Sequence, residues 1–144
     1  RIPVGNMIST PGKGFATAMK TLDGGRIGIA SQALGIAEGA FEIARQYMKQ
    51  RQQFGKPISK NQHLAFRMVD LANSIEMAKY MVYKAATDKD AHKPFSQAAA
   101  KAKLIAAETA MRVTTDAVQM IGGNGYMKEY HVERLMRDAK ITQI

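Results

Sequence analysis

Three apolar stripes at helical spacing constrain this chain more than any other feature of it. Ile27, Ala30, Leu34, Ala37, Phe41, Ala44 and Met48 alternate steps of three and four. Leu64, Met68, Leu71, Ile75, Ala78, Val82 and Ala85 repeat the pattern, as do Ala99, Ala102, Ala106, Ala110, Val113, Ala117 and Met120. Such stepping lays each set along one face of an α-helix. Each stripe needs a partner surface for burial, and short connections make an up-down antiparallel bundle the economical solution. No alternation of β-branched residues is long enough to argue a sheet. The fold class is all-α, a four-helix-bundle-like arrangement.

The punctuation agrees. Thr10-Pro11 opens a first helix expected from about Gly12 to Lys49, although Gly24 and Gly25 inside it cost about 1 kcal/mol each relative to Ala. Gly55 and Pro57 occupy the next link, and Ser59 followed by Gln62 has capping-box spacing, so the second helix is expected to start there. Pro94 and Ser96 open the third helix, and Gly122-Gly123 close it. A short fourth segment carries Val132, Leu135, Met136 and Ala139 on one face. Residues 10–144 read as one domain, and residues 1–9 as a lead-in from a preceding one. A start at Arg1-Ile2-Pro3 without Met reads as a piece of something longer.

Composition removes whole classes of chemistry. The absence of cysteine excludes a disulfide scaffold, a thiolate zinc site, an iron–sulfur cluster and a cysteine nucleophile. Hydrophobic residues at 46% argue against disorder, and no apolar run is long enough to span a bilayer. His63, His92 and His131 are scattered, lack carboxylates at metal-ligand spacing and form no nucleophilic triad. The ten methionines read as core filler. The net charge of +9 calls for an anionic partner without choosing it.

Four places depart from a plain bundle. Arg45, Lys49, Arg51, Lys56, Lys60 and Arg67 fall in a stretch that holds no acid. They are either solvated cations facing a helix dipole or an anion site, with Arg51 forking to a phosphate beside Phe54-Gly55 and the next helix's N-terminus. Gln119-Met120-Ile121-Gly122-Gly123-Asn124-Gly125-Tyr126 carries more glycine than a cap requires. That surplus is either a cap or a surface against which a ligand presses, and it does not match a Rossmann loop. Asp23-Gly24-Gly25-Arg26 is either an i,i+3 ion pair worth roughly 0.3 kcal/mol or a pair presented to a polar substrate. Glu133 to Lys140 is a charge-dense short helix.

Taken together, these segments resemble the C-terminal helical domain of the acyl-CoA dehydrogenases, and of their short-chain, butyryl-CoA bacterial branch in particular. The resemblance rests on Leu22 to Ala30, Arg51 to Ile58, Gln119 to Tyr126 and Met136 to Ile141, in the family's order and spacing, and covers nearly the whole chain. It implies that Arg51 meets the pyrophosphate of FAD. It implies that Phe54 and Gln62 also serve the cofactor, and that Gln119, Met120, Ile121, Gly122 and Gly123 pack on its adenosine end. The flavin would be held chiefly by a neighbouring subunit of a homotetramer. Asp23, Gly24, Gly25 and Arg26 would contact the acyl-CoA.

The implied reaction is α,β-dehydrogenation to a trans-2-enoyl-CoA. A glutamate takes the α-proton, hydride leaves the β-carbon for the flavin, and electron-transfer flavoprotein receives the electrons. The base is expected in a Tyr-Glu-Gly-Thr run just after Ile144, with a last helix beyond it. The alternative position for a base, on the first helix before the matching arginine, is Gly25 here. The chain alone is therefore expected to be inactive, and its parent to be bacterial and cytoplasmic, or mitochondrial if eukaryotic. Rival readings are an acyl-CoA oxidase relative, a helical self-assembly module and a basic nucleic-acid-binding bundle. The last lacks a basic helix with base-reading side chains.

Overall fold

The computed structural model describes residues 1–144. Helix α1 spans Gly14–Gln50, α2 Gln62–Asp90, α3 Ser96–Ile121 and α4 Val132–Gln143. Between α1 and α2 lies a small hairpin, β1 Gln52–Gln53 and β2 Lys56–Pro57, followed by a 3-10 turn at Ile58–Lys60. Two further 3-10 turns, Gly122–Tyr126 and Lys128–Tyr130, join α3 to α4.

The expected stripes form the core. All seven α3 positions are buried, as are Ile27, Ala30, Leu34, Ala37, Ala44 and Met48 of α1 and Leu71 to Ala85 of the α2 stripe. Phe41, Leu64 and Met68 are only half-buried, packed against the edge of that cluster. Helix α3 is central and packs on α1, α2 and α4. The alanines on its core face and on that of α1 are almost wholly buried, and side chains that small let two backbones approach closely. Thr114 and Thr142, also buried, bond their hydroxyls to carbonyls of their own helices.

Cross-links fix the directions. Lys79 of α2 reaches Glu38 of α1 at 3.1 Å, Arg67 of α2 reaches Asp116 of α3 at 2.6 Å, and Lys103 of α3 donates to the Gln143 carbonyl of α4 at 3.2 Å. Early residues of one helix meet late residues of the next, so the order is up-down-up-down. The α4 face extends to Thr142, and Leu135 rests 3.9 Å from where a Gly39 Cβ would stand on α1.

Three expectations need correction. Helix α1 begins at Gly14, two residues late, and runs unbroken through Gly24 and Gly25 because tertiary burial outweighs their propensity cost. The cap of α2 is Asn61, not Ser59: Ser59 is inside the 3-10 turn, whereas Asn61 is extended and its side chain accepts from the His63 N–H at 3.1 Å. The connection between α1 and α2 is a hairpin, which strands of two residues could not reveal by periodicity.

Candidate functional site

The basic stretch is partly neutralised by acids from outside it. Arg45 grips Glu42 with two bonds, at 2.7 and 2.6 Å, and together with Gln46 it lowers the Glu42 carboxyl pKa to about 2. Arg67 pairs with Asp116. Lys49, Arg51, Lys56 and Lys60 have no carboxylate partner and cluster around the hairpin.

Arg51 is the most tightly placed of the four. It closes α1, its N–H donates to the Tyr47 carbonyl at 2.8 Å, and its own carbonyl accepts from the Ile58 N–H at 2.9 Å. The backbone is held from both sides while the guanidinium stays exposed and unpaired. The hairpin turn takes left-handed φ values at Phe54 (52°) and Gly55 (73°), the geometry of a type I′ connection that follows strand twist. This turn leaves Phe54 98% exposed at its tip.

The three glycines after α3 have three different explanations. Gly122 adopts φ 71° and ψ −145°, which a side chain would resist. Gly125 is buried, and a Cβ there would stand 2.6 Å from the Val118 carbonyl oxygen. Gly123 has neither constraint: its φ is unexceptional and no atom lies within 4 Å of where its Cβ would be. Only Gly123 lacks an internal reason to be glycine.

Arg51 and Gly123 meet. A hollow of about 270 Å³ is lined by Tyr47, Arg51, Gln53 and Ile58 on one side and by Ile121, Gly123 and Asn124 on the other. The hollow is open to solvent and has room for a diphosphate group. The hollow thus joins Arg51, Ile121 and Gly123 of the expected cofactor residues. Phe54 and the exposed Gln62, first residue of α2, lie outside it, as does the exposed Gln119, and Met120 is buried in the core. The α2 N-terminus does not line the hollow either, and one of its N–H groups is already taken by Asn61.

Asp23 to Arg26 sit toward the opposite end of α1, roughly 42 Å from Arg51 at 1.5 Å per residue. Asp23 pairs with Arg26 through one oxygen and accepts from the Ser96 hydroxyl through the other, at 2.5 Å. Lys89 stands 3.5 Å from the position of a Gly24 Cβ, while Gly25 is open on all sides. A larger open hollow, about 710 Å³ between the lead-in and the start of α1, has no charged residue in its lining. Among all residues no cluster of three metal-ligating side chains occurs, and no helix is long and apolar enough to cross a membrane.

Tyr47 was not singled out from sequence, and Ser96 only as the opening of a helix. Tyr47 precedes Arg51 by four residues, so helical spacing alone puts it on the same face. Ser96 meets Asp23 across 73 positions, which no local pattern encodes.

Known proteins resemble this chain along nearly its whole length. The family model described as acyl-CoA dehydrogenase, C-terminal domain, matches residues 12–144. The short-chain specific acyl-CoA dehydrogenase of Clostridium acetobutylicum is 64% identical over 99% of this chain and 38% of its own length. The structure of butyryl-CoA dehydrogenase from Megasphaera elsdenii is similar at 58% identity and a TM-score of 0.98, over 99% of this chain and 37% of that one. A chain from work on the electron transferring flavoprotein of Acidaminococcus fermentans is similar at the same identity and TM-score, over 99% of this chain and 38% of that one. The chain belongs to the acyl-CoA dehydrogenase family and carries its C-terminal helical domain. It spans about 38% of the length of the curated relatives it matches.

Proposed function

We propose that this domain works within a longer polypeptide as part of a flavin-dependent dehydrogenase that oxidises short-chain acyl-CoA to trans-2-enoyl-CoA and passes electrons to electron-transfer flavoprotein. The likeness to short-chain and butyryl-CoA enzymes supports the substrate class, and the likeness to a chain from electron transferring flavoprotein work supports the partner. The similarity to bacterial relatives supports a bacterial parent, which we assign to the cytoplasm, and a eukaryotic one to the mitochondrial matrix.

The observation that carries the reading is the hollow between Arg51 and Gly123. Its residues fit a diphosphate: an unpaired guanidinium on a fixed backbone supplies a charge-assisted fork, and Gly123 offers main chain without a side chain in the way. In this reading Arg51 binds the FAD pyrophosphate, Ile121 to Gly123 support the adenosine side, and Gln119, Gln62 and Phe54 reach the cofactor from the rim. Met120 acts from within the core by fixing the end of α3. The bound flavin supplies the hydride acceptor.

Asp23 and Arg26, held as a pair and steadied by Ser96, are assigned to the acyl-CoA. This pair and Arg51 stand roughly 42 Å apart along α1. In this reading a protomer lends its two ends to different sites, and a complete site combines two copies within a homotetramer. The base that removes the α-proton is assigned, as the family resemblance implies, to a glutamate in the segment following Ile144.

The test is flavin retention and turnover in the complete polypeptide. With butyryl-CoA and a dye acceptor, we expect turnover, and we expect Arg51→Ala to weaken FAD binding about tenfold to a hundredfold, the worth of a hydrogen bond to a charged group. Unchanged flavin affinity in that variant rejects the assignment.

A further inference from the structure

Two features that the preceding reading uses together, Arg51 and Gly123, come from parts of the chain more than seventy residues apart. Their separation must be set by something, and Gly123 has no side chain with which to set it. One side chain spans the gap. The Asn124 amide donates to the Tyr47 hydroxyl oxygen at 2.9 Å, the one side-chain hydrogen bond between α1 and the segment after α3. The Tyr47 ring meets the Tyr130 ring edge-on, with centroids 5.6 Å apart and planes at 84°. That contact fixes the next turn of the same connection. The Tyr47 carbonyl, meanwhile, receives the Arg51 N–H at 2.8 Å. A single residue thus grips the glycine tip with its side chain and the arginine with its main chain, and it also lines the hollow between them.

We infer that Tyr47 is a positioning residue for the nucleotide diphosphate. It sets the spacing between the Arg51 fork and the Gly123 backbone, with Asn124 as its partner. The inference rests on the assignment of that hollow to the FAD diphosphate. The hydroxyl matters more to binding than to folding. Tyr47 and Asn124 are only half-buried, so water replaces the bond when it is lost, whereas the ring's packing on Tyr130 and the core persists in phenylalanine. What is lost is the register of the tip.

The experiment titrates FAD into the apo form of the complete polypeptide, following flavin fluorescence, for the natural protein and for Tyr47→Phe, Asn124→Ala, the double variant and Arg51→Ala. We expect Tyr47→Phe and Asn124→Ala each to raise the FAD dissociation constant about threefold to tenfold, and the double variant to add little beyond either. The apoprotein melting temperature should move by no more than about 2 °C. An unchanged dissociation constant in both single variants, with Arg51→Ala still loosening the flavin, overturns the role of Tyr47 and leaves the diphosphate assignment standing. A melting temperature that falls in step with affinity overturns it as well, because the role is then structural. Full flavin affinity in Arg51→Ala overturns the diphosphate assignment and this inference with it.

Discussion

Gly125 lies so close to Val118 that a Cβ on the glycine would stand 2.6 Å from the Val118 carbonyl oxygen, with the Ile121 Cβ only 3.1 Å away. The turn after α3 folds back on the helix it has just left, and this approach permits it. Adding one methyl must push main chain aside. We expect Gly125→Ala to destabilise the domain by about 1–3 kcal/mol, as overpacking does. Gly123→Ala should fall within about 0.5 kcal/mol of the natural protein, because nothing occupies the space its methyl would enter. Urea midpoints of the two variants decide the matter. If Gly123→Ala nonetheless weakens FAD binding, the loss belongs to the ligand and not to the fold.

The start of α2 offers a second comparison. Asn61, not Ser59, holds the His63 N–H in the first turn of that helix. Asn61→Ala should cost about 1 kcal/mol in a urea melt, while Ser59→Ala should be close to neutral. Equal costs would mean that the Asn61 side chain does not govern the helix end.

Glu42 provides a pH signature. Its carboxyl is held down to about 2, first by the Arg45 hydrogen bonds and then by Gln46, from an ordinary value of 4.5. A depressed carboxylate contributes stability that is present above its unfolded value and is lost as pH falls through the folded one. The contribution of Glu42 should therefore vanish between about pH 4.5 and pH 2, and Glu42→Gln should flatten the stability profile in that window alone. The side chain is exposed and open to salt screening, so raising the ionic strength should shrink the difference between the two proteins.

The Arg67–Asp116 pair ties α2 to α3 with both side chains partly shielded from solvent. The Asp116 oxygen lies within ion-pair distance but off the N–H direction, so it has a charge partner without a well-directed hydrogen bond. A double-mutant cycle with Arg67→Ala and Asp116→Ala should return a coupling of about 0.5–1 kcal/mol. A coupling of zero would make the bundle's α2–α3 seam purely apolar.

The bundle was legible in sequence wherever the stripes were long. The Ala-rich face of α3 is a continuous record of burial, and all seven of its positions are in the core. Gly24 and Gly25 sit inside the long first helix as expected, since neighbours on the same helix are anchored by packing. The hairpin escaped notice because its two strands are too short to show a period, although Phe54-Gly55 carried the turn. At the site, Arg51 and the surplus glycines were visible as chemistry and the resemblance put both on one FAD, but their lining of one hollow within a single chain depends on α1 and α3 running side by side. The same parallel alignment brings Asp23 to Ser96 at one end of the bundle and Tyr47 to Asn124 at the other. The near-equal sequence offsets of those pairs become a pattern only after the helices are seen to lie parallel.

The most direct measurement is a crystal structure of the complete polypeptide with FAD bound. We expect diphosphate oxygens within about 3 Å of the Arg51 guanidinium and over the Gly123 main chain, with the Asp23–Arg26 pair of that same protomer facing the site of another copy. A diphosphate held elsewhere, with the hollow between Arg51 and Gly123 filled only by solvent, would overturn the assignment of that hollow to the cofactor.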